Sequence, residues 1–355
     1  MDAVDVALVD FDRAIPDTLA TLHSAWDPAL RRRLLRVAAG HALPASEFAD
    51  LDAQTGLFFA TKINELLQAN ATRPDQVAAI GCHGQTVAHA PLATPATTLQ
   101  LGDANLIAEW TGITTINDFR RRDLAVGGQG APLAPAFHAA LMRSDQEARV
   151  VLNLGGIANV TILPADAAVE VIGFDTGPAN CLMDGWIRRH LDKPFDRGGR
   201  WAASAEAHPG LLDALLNDPF FELGPPKSTG TQYFSDSWLE STLNRFNGVT
   251  AQQVQASLLA LTSRSVTDAI RGRAPATQRI LVCGGGAHNH ALLEQLRCEL
   301  QIPIESTASV GFDPDWVEAI AFAWLARRTL TGEAGNLPSV TGARAARILG
   351  AIHPA

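Results

Sequence analysis

One stretch constrains this chain more than any other: Gly173-Phe174-Asp175-Thr176-Gly177-Pro178-Ala179-Asn180. It sets a single carboxylate between glycines, directly before a helix-like run from Cys181 to Trp186. Glycine lets the backbone approach a ligand closely, and proline, lacking an N–H, fits a turn or a first helical position. The pattern predicts a strand ending at Phe174, an acid at its tip and a helix behind it. Open α/β sheets bind ligands at such carboxyl strand ends. The same residues also read as a helix that Asp175 merely caps, and the stretch alone leaves both readings open.

Two further glycine turns follow strand-like runs. Val150 to Leu163 reads as a hairpin whose β-branched arms flank Gly155-Gly156, a turn whose N–H groups can cradle an anion. Arg279 to Cys283 is a strand that runs into Gly284-Gly285-Gly286, and a helix follows with Leu292, Leu293, Leu296 and Leu300 on one face. Strand, glycine turn and helix start make a nucleotide-approach geometry. The spacing is not GxGxxG, which weighs against a dinucleotide. Pro225-Pro226-Lys227-Ser228-Thr229-Gly230 is no Walker loop, since the upstream glycine spacing is wrong.

The N-terminal half is less punctuated. Val4 to Phe11 reads as a strand, Leu19 to Ala39 as a helix, and Thr114 to Ile116 as a strand. That last strand ends at Asp118, Arg120, Arg121, Arg122 and Asp123, either a surface salt-bridge cluster or a clamp in which arginine grips an anion bidentately. Gly127 to Pro132 is a flexible bend and a candidate hinge. Val254 to Ile270 has an amphipathic helical pattern. Glu318 interrupts an apolar helix, at a cleft or on its one wet stripe. The turn-rich tail from Asn336 to Ala343 is expected to pack on the first domain.

Composition narrows the class. At 355 residues, 47% hydrophobic and 18% charged, the chain can bury two cores. A net charge of −9 disfavours nucleic acid as a partner. No apolar run is long enough to span a bilayer. The four cysteines lie far apart, and His83 and His89 have no acid nearby in sequence, so no metal site of the protein's own is expected.

Together the motifs resemble the anhydro-N-acetylmuramic acid kinase family, of the sugar-kinase, heat-shock-ATPase and actin superfamily. The matching stretches are CHGQTVAH (82–89), the run from Thr98 to His138, VLNLGGIANVT (151–161), GFDTGPAN (173–180), KSTGTQYF (227–234), LVCGGGAHN (281–289), EAIAFAWLA (318–326) and NLPSVTGA (336–343). The resemblance implies an α/β fold of two actin-like, ribonuclease H-like domains around a central cleft, with mixed sheets flanked by helices. The expected domains are 1–126 with 333–355, and 127–332. It implies that water opens the 1,6-anhydro ring while ATP, with Mg²⁺, phosphorylates O6. The product is N-acetylmuramic acid 6-phosphate, in cell-wall recycling by a cytoplasmic homodimer. Asp175 matches the catalytic acid. Asp118, Arg120, Arg122 and Glu318 are assigned to the sugar. Asp2, Asp5, Asn153, Gly155, Gly156, Gly284, Gly285 and Gly286 are assigned to the nucleotide.

The chain departs from the family pattern in two places. Ala179 replaces a glycine, and Met1-Asp2-Ala3-Val4-Asp5 matches only the end of the first phosphate loop. The expectation is a start further upstream, with a gap or a substitute strand beside Val4 to Phe11. A sugar- or nucleotide-binding protein with impaired catalysis is the alternative that this loop raises. A glycoside hydrolase is a third reading, disfavoured by the two glycine turns.

Overall fold

A computed structural model describes residues 3–355. Asp2, expected at the nucleotide, lies outside the described residues. The chain divides into two compact units, one ending at Phe137 and resuming at Glu318–Ala355, the other His138–Val317.

The first unit opens with an antiparallel pair, β1 (Ala3–Asp10) and β2 (Asp17–Ala25). The expected helix from Leu19 to Ala39 is therefore corrected: its first part is a strand, and only α1 (Pro28–Ala38) is helical. The residue before a proline avoids the helical region. Pro28 therefore marks the helix start, and Asp27 accepts the N–H groups of Ala29 and Leu30 as its cap. Among the described residues β2 is the one strand paired with β1. Next come α2 (Ala45–Ala69), β3 (Ile80–Gly81), the hairpin β4 (Gln85–Ala90) and β5 (Thr97–Leu101), then α3 (Ala104–Thr111) and β6 (Thr115–Asn117). Two helices, α4 (Arg121–Ala125) and α5 (Ala134–Leu141), lead out of the unit.

The second unit is built on a mixed five-stranded sheet. Its strands are β7 (Arg149–Leu154), β8 (Ile157–Leu163), β9 (Ile172–Pro178), β10 (Arg279–Cys283) and β11 (Ile304–Ser306), in the order β11-β10-β7-β8-β9. β10 runs parallel to both neighbours, while β7, β8 and β9 form antiparallel pairs. The expected hairpin about Gly155-Gly156 is thus two strands of this sheet. Its helices are α6 (Asn180–Leu191), α7 (Pro209–Leu216), α8 (Pro219–Glu222), α9 (Asp236–Leu243), α10 (Ala251–Arg273) and α11 (His290–Leu300).

Helix α10 is no surface amphipath. Residues from Val254 to Thr267 are buried on nearly every face, among them Ser257, Thr262 and Ser263. Hydroxyls are tolerated inside a helix when they bond to the preceding turn. Ser257 donates to Gln253 O at 2.8 Å, and Thr262 donates to Pro178 O on β9 at 2.9 Å. Leu152, Leu154 and Val160 of the sheet and Leu258 and Val266 of the helix share this core. Each such side chain contributes about 1.5–3 kcal/mol of burial.

The chain returns to the first unit through α12 (Val317–Leu330), α13 (Pro338–Thr341) and β12 (Ala351–His353), which pairs antiparallel with β6. The unit boundaries fall inside α5 and at the start of α12, rather than at the expected 126/127 and 332/333. Packing explains the difference. A Cβ on Gly81 would lie 2.3 Å from Phe322 O, so α12 presses directly on β3. Phe119 with Phe322 and Phe137 with Trp324 form ring pairs within the same unit. The tail packs on the first unit, as expected.

Candidate active site

Asp175 is not at a strand tip. Strand β9 continues through it to Pro178, and Asp175 faces Asn159 across the ladder, beside a register shift between Ala158 and Asn159. Its position is therefore set by a sheet rather than by a flexible turn. Nor does it cap a helix: α6 begins at Asn180, after Ala179 at φ −119°. That φ is negative, outside the left-handed region that favours glycine.

Among the described residues, the half-buried Asp175 carboxylate has one hydrogen bond, from Thr229 N–H to Oδ2 at 2.8 Å. Its own N–H donates to Lys227 O at 3.1 Å. Burial pushes its pKa up to about 6, against the pull of the Thr229 N–H and the Lys227 charge. Oδ1 has no protein partner among the described residues. A carboxylate with one anchored and one open oxygen, titrating near neutrality, has the properties of a general base.

The two glycine turns lie at the same end of this sheet, after β7 and after β10. The carbonyls of Gly155 and Gly156 accept the N–H groups of Ala179, Asn180 and Cys181 at the start of α6, at 3.0–3.1 Å. Asn180 Nδ2 adds bonds to Leu154 O and Gly155 O. The turn is thereby locked with its own N–H groups unbonded among the described residues, the arrangement of an anion nest. Gly284, at φ +78°, packs against the end of β7: a Cβ there would lie 2.5 Å from Asn153 Oδ1. A Cβ on Gly286 would lie 2.5 Å from Leu154 Cβ, whereas one on Gly285 meets open space. So Asn153, Gly155, Gly156 and Gly284 to Gly286 are brought together, and Gly285 is the exposed one.

The first unit gathers a separate polar cluster. Arg120 Nε donates to His83 Nε2 at 2.8 Å, and Nη1 donates to Gly130 O at 2.7 Å. A guanidinium can only donate, so His83 accepts at Nε2 and carries its proton on Nδ1. Burial, and then the Arg120 charge, hold the His83 pKa well below its ordinary value. Glu318 retains contact with solvent, yet the protein crowded around it raises its pKa, Arg120 lowers it, and Asp5 raises it again. Arg120, Glu318 and Asp5 are thus electrostatic neighbours.

Asp118, at φ +55°, lines a recess with His83, Gly84, Gln100, Asn117 and Arg121. Its pKa is raised by burial and lowered by Arg121, whose Nη1 is 3.6 Å from Oδ2. Arg122 does not join this group. It is exposed on α4, with no ion-pair partner among the described residues. Asp5 pairs with His23 Nδ1 at 2.7 Å and keeps Oδ2 without a protein partner among the described residues.

Sequence reasoning missed three residues here. His83 reads from the sequence only as a metal-ligand candidate with no acid nearby, and its partner Arg120 lies 37 positions away. Lys227 and Thr229 lie in the stretch whose spacing fails the Walker pattern. Their signal was the match of KSTGTQYF to the family, which carried no role from spacing alone.

The comparisons agree over the full length. The family model described as Anhydro-N-acetylmuramic acid kinase matches residues 1–355. The anhydro-N-acetylmuramic acid kinase of Xanthomonas axonopodis pv. citri (strain 306) is 50% identical over 359 residues, covering 100% of this chain and 95% of that protein. The one from Xylella fastidiosa (strain Temecula1 / ATCC 700964) is 50% identical over 361 residues, covering 100% and 94%. Among solved structures, (R)-2-hydroxyglutaryl-CoA dehydratase component A from Acidaminococcus fermentans aligns at a TM-score of 0.42 and 11% identity, over 91% of this chain and 99% of that one. A likeness that low carries no argument. The full-length match and the two close relatives do: this chain belongs to the anhydro-N-acetylmuramic acid kinase family.

Proposed function

We propose that this protein uses ATP to convert 1,6-anhydro-N-acetylmuramic acid to N-acetylmuramic acid 6-phosphate, a step in recycling cell-wall fragments. The observation that carries the reading is Asp175, held in a strand with one open oxygen and a pKa raised to about 6, in a chain matched to the kinase family from end to end. Asp175 takes a proton from the water that attacks the anomeric carbon. As the bond from that carbon to O6 breaks, O6 takes the γ-phosphoryl group. Positioning and neutralisation of charge supply most of the catalysis of such a transfer.

The glycine turns and the Arg120 cluster take different roles. The unbonded N–H groups of the Gly155-Gly156 turn fit phosphate, and the Gly284–Gly286 turn fits the adenosine side. Arg120, Glu318 and Asp118 are assigned to the sugar, with Arg120 for its lactyl carboxylate. Bound with ATP, Mg²⁺ would neutralise the β- and γ-phosphate charge. Asp5 has the open carboxylate oxygen that suits that complex. Arg122 stands apart, since the cluster forms without it. A cytoplasmic homodimer is the assembly we assign. No helix among the described residues is long and apolar enough to cross a membrane, and light scattering checks the dimer.

The test is ATP consumption with and without the anhydro-sugar. Sugar-dependent ADP release supports the kinase. Sugar binding without turnover supports the binding protein, and ring opening without ATP supports a hydrolase.

A further inference from the structure

Asp123 has no role in the chemistry above, yet its surroundings are unusually specific. It lies on α4 with none of its surface exposed. A buried carboxylate is costly unless donors satisfy it, and three do. Gly130 N–H donates to Oδ2 at 2.7 Å. Asn336 Nδ2 and Thr341 Oγ1 donate to Oδ1 at 2.6 and 2.8 Å. The Asn336 amide is oriented by Arg347 N–H, which donates to its Oδ1 at 2.6 Å and so turns Nδ2 toward Asp123. A Cβ on Gly128 would lie 2.1 Å from Asp123 Oδ2, so this approach admits no side chain. The donors come from two segments: the loop expected to be a hinge, and the tail. Gln129 N–H to Thr341 O, at 2.8 Å, also ties these segments together. The loop expected to be flexible is thus pinned within the first unit.

The chain of bonds continues to the sugar cluster. The Gly130 carbonyl held by this loop accepts Arg120 Nη1, while His83 accepts Nε. Two edges of the guanidinium are therefore occupied by protein, and Nη2 has no acceptor among the described residues. A planar fork grips a carboxylate well only when its plane is fixed.

We infer that Asp123 is a positioning residue for the sugar: it clamps the loop from Gly127 to Gly130 against the tail segment from Asn336 to Thr341, so that the Gly130 carbonyl holds Arg120 with Nη2 presented to the substrate. This rests on the sugar-binding role given to Arg120 above. Asp123 itself touches no substrate. Asn at position 123 offers one acceptor and one donor group where two acceptors are required, so it must face at least one of the three donors wrongly. Valine at position 341 keeps the shape of threonine and removes one donor.

The experiment measures kcat, KM for the anhydro-sugar and KM for ATP in wild type, Asp123→Asn and Thr341→Val. Each change is made alone and in an Arg120→Lys background, which keeps the charge and loses the fork. With Arg120 present, Asp123→Asn should raise the sugar KM about tenfold and leave the ATP KM within about twofold. Thr341→Val should raise the sugar KM about threefold. In the Arg120→Lys background neither change should add a further rise, because residues acting through one group are not additive. Equal, additive rises in both backgrounds overturn the inference, as does a loss of kcat with both KM values unchanged. If Asp123→Asn does not fold, Thr341→Val decides by the same criteria. A wild type without sugar-dependent ATP turnover overturns the functional reading instead, an outcome distinct from additivity in an active enzyme.

Discussion

At the scale of single residues, Asp175 makes two predictions of opposite sign. Asp175→Asn keeps an acceptor for Thr229 N–H but cannot take a proton, so turnover should fall by about 10²–10⁴. Stability should move the other way. The folded-state pKa is raised from 3.8 to about 6, so the native state favours the protonated acid. Its stabilising contribution is present below pH 3.8 and is lost as pH rises through about 6. Removing the charge should therefore stabilise the protein at pH 8 by up to about 3 kcal/mol, with a gain that vanishes toward pH 4. Melting curves at both pH values check this, and a mutant destabilised at pH 8 would contradict it. In the wild type, kcat/KM should fall as pH drops below about 6.

Arg120 and Arg122 separate at the same scale. Arg120→Ala should weaken a carboxylate-bearing anhydro-sugar by about 1.5–3 kcal/mol and its lactyl-free analogue by less. Arg122→Ala, on an exposed side chain, should change either by less than about 0.5 kcal/mol. Titration calorimetry with the two ligands distinguishes a clamp from a surface cluster. Equal losses for both ligands in Arg120→Ala would show that its role is structural.

At the scale of elements, the turn after β10 offers a paired test. Gly284→Ala forces a side chain to φ +78° and to within 2.5 Å of Asn153 Oδ1. It should cost about 1–3 kcal/mol of stability and raise the ATP KM. Gly285→Ala enters open space and should leave stability within about 0.5 kcal/mol. If both substitutions behave alike, packing against β7 is not what requires glycine there. The same elements show what a sequence can say. Strands β7, β8 and β10 are legible because their β-branched and apolar runs are bounded by glycine pairs. β2 is not legible, because Thr18, Leu19, Thr21 and Leu22 suit a helix face about as well as a strand, and only its pairing with β1 decides. Helix α10 is legible as a helix but not as a core helix, since its serines and threonines read as a wet face until bonds such as Ser257 to Gln253 O and Thr262 to Leu258 O are seen.

At the scale of the whole molecule, the site is legible where its chemistry is local in sequence. Asp175 between glycines and the two glycine turns stand out because each unit lies within a dozen residues. What spacing cannot show is convergence from afar. Arg120 meets His83, and Asp123 meets Asn336 and Thr341 more than 200 positions later. No local pattern encodes such pairs, because tertiary folding alone creates them. The family match supplies the whole-chain context, and the chain spans 95% of its Xanthomonas axonopodis relative.

The central claim is that ring opening and phosphoryl transfer are one reaction that depends on Asp175. The most direct measurement is the mass of the product formed from 1,6-anhydro-N-acetylmuramic acid, ATP and Mg²⁺, by wild type and by Asp175→Asn. The account predicts a product heavier than the sugar by one water plus one phosphoryl group, with one ADP released for each, and none from the variant. A product heavier by water alone, ADP release without phosphorylated sugar, or full activity in the variant would contradict it.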